Sequence, residues 1–305
     1  ATCLPSFLVL ELTCEKINMA KTSYFYPYMD GKCLTKYTTR DLFNVMEKMT
    51  DRGTRETAFR MAGILNKVYN EAFLLGDIET NPATGLTGLM PATNNKTKSN
   101  FGHTTDPKDF KVLLQLIHMP NPNRDIAVTL ALKLMPLVFL RPKNIRFMKW
   151  EYVNFDDALI TIPREEMKMH RELKVPLAPQ AMVILKDAFK ETGHLEYVFV
   201  STIGVGKKKL TPIGESATTS AIRRMVDPRT GEPFGTGFMT SHGFRHTAST
   251  MLNELGYRSD IIELQLAHES NDRVRATYNK AQLMPDRTKM MQEWADHLDI
   301  LRVSP

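Results

Sequence analysis

The stretch from Thr240 to Tyr278, TSHGFRHTASTMLNELGYRSDIIELQLAHESNDRVRATY, constrains this chain more than any other. Apolar residues at Phe244, Ala248, Met251, Leu252 and Leu255 recur with helical spacing, so His242 and Arg245, one turn apart, share a face. Gly256 supplies a stop, and Ser259 or Asp260 can cap a second helix. The stripe of that second helix, Ile261, Ile262, Leu264 and Leu266, leads to His268, and Tyr278 follows. A titratable imidazole and a permanent cation therefore sit side by side at the start of a helix pair that ends on another imidazole.

Taken singly, these residues are ordinary. A histidine on an apolar helix is more often a satisfied core group than a functional one, and a lone tyrosine is usually half-buried packing. Their joint spacing is much harder to obtain by chance. The order H-x-x-R, then LAH, then tyrosine resembles the C-terminal signature of the tyrosine recombinases, the family of phage and genomic-island integrases. The resemblance implies cleavage of a phosphodiester without metal, ATP or other cofactor. Such chemistry needs a nucleophile, fixed positive charge on the non-bridging oxygens and an acid for the departing sugar oxygen. Arginine suits the phosphate because its planar fork donates charge-assisted bonds and stays protonated. By the resemblance Tyr278 is the nucleophile that forms a 3′-phosphotyrosyl bond, Arg245 binds the scissile phosphate, and His242 and His268 assist with protons and hydrogen bonds.

The family's first catalytic arginine corresponds to Arg141 in LRPKNIRFMKW, which follows an apolar run and precedes a short helix and a strand ending in Trp-Glu. The family usually carries a carboxylate three residues later, where this chain has Asn144; an amide can orient a guanidinium only by hydrogen bonding. The next segment reads as a small antiparallel sheet, with a turn at Asn154, Asp156 and Asp157, a middle strand ALITIP and a third strand ELKVPL. The resemblance implies a catalytic lysine at the tip between the last two strands. Lys168 is the assignment and Lys174 the competing one; a lysine there suits protonation of the leaving 5′ oxygen.

Earlier in the chain, TTRDLFNVMEKM and RETAFRMAGILNKVYNEAFLLG have helical periodicity, the latter ending at Gly76 with Asn81-Pro82 as a stop. They resemble the helical core-binding domain of integrases. Pro91 to Thr105 is polar and aperiodic, either an interdomain linker or an exposed loop. Asp106-Pro107 starts a helix, and another runs from about Asn123 through ALKLMPLVF, where Pro136 ends or kinks it. Pro179 to Lys190 reads as a helix, YVFVS as a short strand, and Ser216 to Val226 as a further helix. A last helix carries Met290, Met291, Trp294, Leu298 and Leu301 in register; its stripe packs in cis or docks on a neighbouring protomer. The expected fold is mostly α with a small antiparallel sheet, in two domains. Residues 1–90 would form a helical core-binding domain, 91–105 a linker, and 106–305 a mixed α+β catalytic domain with its C-terminal helix.

A net charge of +6 favours a polyanionic partner, and basic residues cluster at Lys96, Lys98, Lys207, Lys208, Lys209, Arg223 and Arg224, the candidates for DNA-backbone contact. The glycine-containing loop around the lysine triplet lacks P-loop spacing. Cys3, Cys14 and Cys33 without ligand spacing point to a reduced, cytoplasmic setting, nucleoid-associated if the resemblance holds, and FLVL at Phe7 to Leu10 is too short to span a membrane. The partners implied are double-stranded DNA attachment sites and further copies of the chain, monomeric in solution and a homotetramer on paired sites, with accessory DNA-bending proteins to be tested. Within the same chemistry a type IB topoisomerase is the nearest alternative. Outside it stands a non-catalytic DNA-binding, excision or regulatory protein on the same fold.

Overall fold

The computed structural model describes residues 34–90, 102–167, 170–201, 210–268 and 283–304. Backbone contacts divide the chain into two units, residues 1–98 and 99–305.

In the first unit, α1 (Thr39–Asp51) starts on a reciprocal cap. Asp41 N–H donates to Thr38 Oγ1 (3.2 Å) and Thr38 N–H donates to Asp41 Oδ2 (2.9 Å), which satisfies amides that a helix start otherwise leaves open. Its inward face is Leu42, Val45, Met46 and Met49, as the periodicity predicts. Helix α2 (Arg55–Leu74) packs on it through Ala58, Met61, Ala62, Leu65, Tyr69 and Ala72, while Phe73, expected on the same face, is 46% exposed. The helix ends through Gly76 at φ +77°, with Gly76 N–H donating to Phe73 O and Asp77 N–H to Ala72 O. Asn81 therefore stops nothing. Its amide instead donates to Asn66 Oδ1 and O, tying the following loop to α2 ahead of the short α3 (Leu86–Leu89).

The second unit is built on α5 (Ile126–Val138), in which almost every residue after Ile126 is buried. Asp125 caps it by accepting from Ala127 N–H (2.8 Å). Helix α4 (Pro107–His118), capped by Asp106, lies against it. Pro136 lies inside α5, two residues before its end: the helix runs on to Val138 and stops where Phe139 turns left-handed at φ 42°. The short α6 (Pro142–Arg146) follows directly. The expected strand into Trp-Glu is instead a 3-10 turn, Trp150–Tyr152, and the sheet begins only at β1 (Val153–Asn154). With β2 (Leu159–Ile162) and β3 (Leu173–Pro176) it makes an antiparallel sheet in the order β1-β2-β3, register Val153↔Ile160 and Ile160↔Val175.

Helix α7 (Pro179–Thr192) packs on α5. YVFVS does not become a strand; it makes only isolated bridges, Lys149↔Tyr197 and Val200↔Pro212. Helix α8 (Ala217–Arg223) is shorter than expected, because Arg224 caps it and Val226 pairs with Pro233. Helix α9 (Gly243–Glu254) closes with Gly256 at φ +83°, Gly256 N–H donating to Asn253 O and Tyr257 N–H to Leu252 O. Helix α10 (Ser259–Gln265) has Arg258 at its cap position with no side-chain bond. The Ser259 hydroxyl goes to Asn253, whereas the Asp260 carboxylate pairs with Arg258 and also accepts from the first-turn Ile261 N–H (3.1 Å).

The last helix, α11 (Met284–Val303), is buried in cis: Met290, Met291, Trp294, Ala295 and Leu298 enter the core, while Leu301 is half-buried. Each fully buried side chain of this size stabilises by about 1.5–3 kcal/mol before entropy is counted. Trp294 Nε1–H also donates to Pro136 O (2.8 Å), and its ring meets Phe139 edge-on at 6.1 Å.

The entry to α9 leaves no room for a side chain. A Cβ on Gly243 would sit 2.4 Å from Gly102 O and 2.7 Å from Met239 Sδ. The crowding arises because residues 102–104 are tied across this point, Thr240 N–H donating to Gly102 O (2.7 Å) and Thr247 Oγ1 to Thr104 O (2.6 Å). Gly243→Ala is expected to destabilise the second unit by about 1–3 kcal/mol, as overpacking does. A shift in the urea midpoint reads this directly; an unchanged midpoint would show that the 102–104 strap moves freely.

Candidate active site

Four of the predicted residues converge from segments far apart in sequence. Arg141 is the cap residue of α6, just after the left-handed corner at Phe139. His242 stands at the start of α9 and Arg245 in its first turn. His268 follows α10 immediately.

Backbone carbonyls form the frame. The Arg245 guanidinium, only 5% exposed, donates from NH1 to Phe139 O and from NH2 to Leu266 O (2.6 Å), with His268 Nε2 at 3.4 Å from NH2. Arg141 NH2 donates to Ala267 O at 3.4 Å, and Ala267 is itself left-handed at φ 50°. The residues flanking both helix ends thus turn carbonyls inward to hold two cations, which among the described residues are paired with neutral acceptors. Burial, and next the charge of Arg141, lowers the Arg245 pKa to about 10, with Glu263 opposing; the group stays charged at neutral pH. Burial likewise lowers Arg141. Burial first, then Arg245 and Arg141, pushes His242 below the usual imidazole range. A pair of desolvated guanidiniums beside imidazoles is an anion-binding centre suited to a phosphodiester.

His268 is oriented from behind. Its Nδ1 lies 2.6 Å from Glu263 Oε2, so Nδ1 carries the proton in this network and Nε2 faces Arg245. Nothing in the sequence reading singled out Glu263. Its place in the last turn of the helix before LAH was the available signal, because that turn curls back over its own C-terminal end.

Asn144 does not support Arg141. It is buried, and its Nδ2 donates to Glu166 O (3.5 Å) and toward Met167 Sδ (3.8 Å), bracing the connection between β2 and β3. Lys174 lies on β3, exposed, 3.8 Å from Glu172. Arg223 and Arg224 are exposed at the end of α8. Lys96, Lys98, Lys168, Lys207, Lys208, Lys209 and Tyr278 lie outside the described residues. Among the described residues no helix is long and apolar enough to cross a membrane.

The profile of the Phage integrase family matches residues 105–283, and that of the phage integrase central domain residues 11–89. Prophage integrase IntZ of Escherichia coli (strain K12) is 29% identical over 95% of this chain and 67% of its own length. The integrase of Shigella phage Sf6 is 31% identical over 90% of this chain and 66% of its own. The chain thus spans about two thirds of the length of these curated relatives. In fold it is similar to lambda integrase in the crystal structure of a tetramer bound to a Holliday junction, with TM-score 0.64 and 19% identity over 88% of this chain and 75% of that one. With the family profile covering more than half its length, the chain belongs to the phage integrase family, the tyrosine-type site-specific recombinases.

Proposed function

We propose that this chain cuts and rejoins DNA at attachment sites to integrate or excise a mobile element, with Tyr278 as nucleophile. The observation that carries the reading is the carbonyl-framed pair Arg141 and Arg245 with His242 and His268 beside it. In this scheme the two guanidiniums hold the non-bridging oxygens of the scissile phosphate. The Tyr278 oxygen attacks phosphorus, a 3′-phosphotyrosyl ester forms, and the bond to the 5′ oxygen breaks as Lys168 donates a proton to it. His242 and His268 donate hydrogen bonds and move the tyrosine's proton. A 5′-hydroxyl from the partner strand reverses the step, so no external energy is needed.

Residues 1–90 and the catalytic residues 106–305, joined by 91–105, would each contact the duplex, with Lys96, Lys98, Lys207, Lys208, Lys209, Arg223 and Arg224 on the backbone. A homotetramer on paired sites follows from one tyrosine per protomer, and the lambda integrase tetramer on a Holliday junction supports it. Incubation with supercoiled DNA carrying a candidate site tests the reading. Nicked or relaxed product is expected, together with mobility shifts that weaken steeply as salt rises. Shifted but wholly supercoiled DNA would instead indicate a binding protein on this fold.

A further inference from the structure

Arg287, on the first turn of α11, is 6% exposed, and among the described residues it meets no carboxylate. Its Nε and NH2 both donate to Gln265 Oε1 (3.0 and 2.6 Å), and NH2 also donates to Lys174 O on β3. Gln265 is itself fully buried, and its Nε2 finds no partner among the described residues. A buried cation bound to neutral oxygens, next to an unsatisfied amide, is a poor way to gain stability; apolar residues of similar volume would do at least as well. What the arrangement does achieve is geometric. Gln265 is the last residue of α10, and the two carbonyls that follow it are Leu266 O, which holds Arg245, and Ala267 O, which holds Arg141.

We propose that Arg287 is a positioning residue for the recombinase site: through Gln265 it fixes the Leu266–Ala267 carbonyl frame and so the aim of both phosphate-binding guanidiniums. The same guanidinium also donates to Lys174 O and so ties β3 to α11. The inference rests on the function proposed above.

The test uses Arg287→Met with Gln265→Leu, which exchanges the polar pair for an apolar one of similar volume. The urea midpoint is expected at or above that of the unaltered chain and DNA affinity within about threefold, while single-turnover cleavage falls by about tenfold or more, since a misplacement near 1 Å can cost about 10²-fold. Cleavage at the unaltered rate in this stable variant would overturn the proposal. Should the pair fail to fold, Arg287→Lys keeps the charge but loses the planar fork whose Nε and NH2 both donate to Gln265; it is expected to bind DNA normally and cleave slowly, and normal cleavage would again overturn it. A further readout is independent of strand transfer. The Nε–H NMR resonances of Arg141 and Arg245 are expected to move in either variant, and unmoved resonances would show that Arg287 only fills the core. Absence of cleavage by the unaltered chain, with those resonances shifting in the variants, would count against the proposed function and leave the positioning role standing.

Discussion

Changing Arg245 to lysine is expected to leave the second unit folded and to lower single-turnover cleavage by about 10²- to 10³-fold, the loss typical of removing a preorganised donor from a transition state. The guanidinium is buried to 5% exposure and spends donors on Phe139 O and Leu266 O while presenting a charge next to Arg141 and His268. A lysine retains the charge but has no planar fork, so it cannot satisfy two carbonyls and also bind phosphate in a fixed orientation. Alanine would be a poorer probe. It would strand both carbonyls in the core at about 1–3 kcal/mol each and confuse stability with chemistry. Rates from a quenched time course, compared with affinities from mobility shifts, separate the two effects. A lysine variant that cleaves within threefold of the unaltered chain would mean that Arg245 is a structural strut.

Much of the scaffold was legible because it rests on local rules. Asp106 with Pro107, and Gly76 and Gly256, announce helix ends through backbone chemistry that operates within a few residues. The misreadings fall where tertiary context decides. Val198, Phe199 and Val200 are all buried, and a short continuous apolar run looks like a strand whether or not a partner strand lies beside it; here only isolated bridges form. Ser259 has capping chemistry, yet Asn253 claims its side chain.

The site divides in the same way. His242, Arg245 and His268 come from one contiguous motif, and Arg141 from a second, so the resemblance to the family could name them. The groups that aim them could not be found that way. Phe139, Leu266 and Ala267 act through backbone carbonyls, which any residue carries, and Gln265 and Arg287 meet only because α10 and α11 pack together. Asn144 stands where the family usually has a carboxylate, and its side chain turns to Glu166 and Met167 and not to Arg141.

The largest single effect is expected at Tyr278, because the scheme has no other nucleophile and removing an oxygen cannot be compensated by binding. Covalent trapping tests this most directly: the chain is incubated with a nicked suicide substrate carrying a candidate attachment site, denatured, and examined for a DNA-protein adduct, with Tyr278→Phe alongside. The account predicts an adduct with the unaltered chain and none with the phenylalanine variant, although both bind the DNA equally. An adduct that survives Tyr278→Phe, or none from an unaltered chain that demonstrably binds the site, would contradict it.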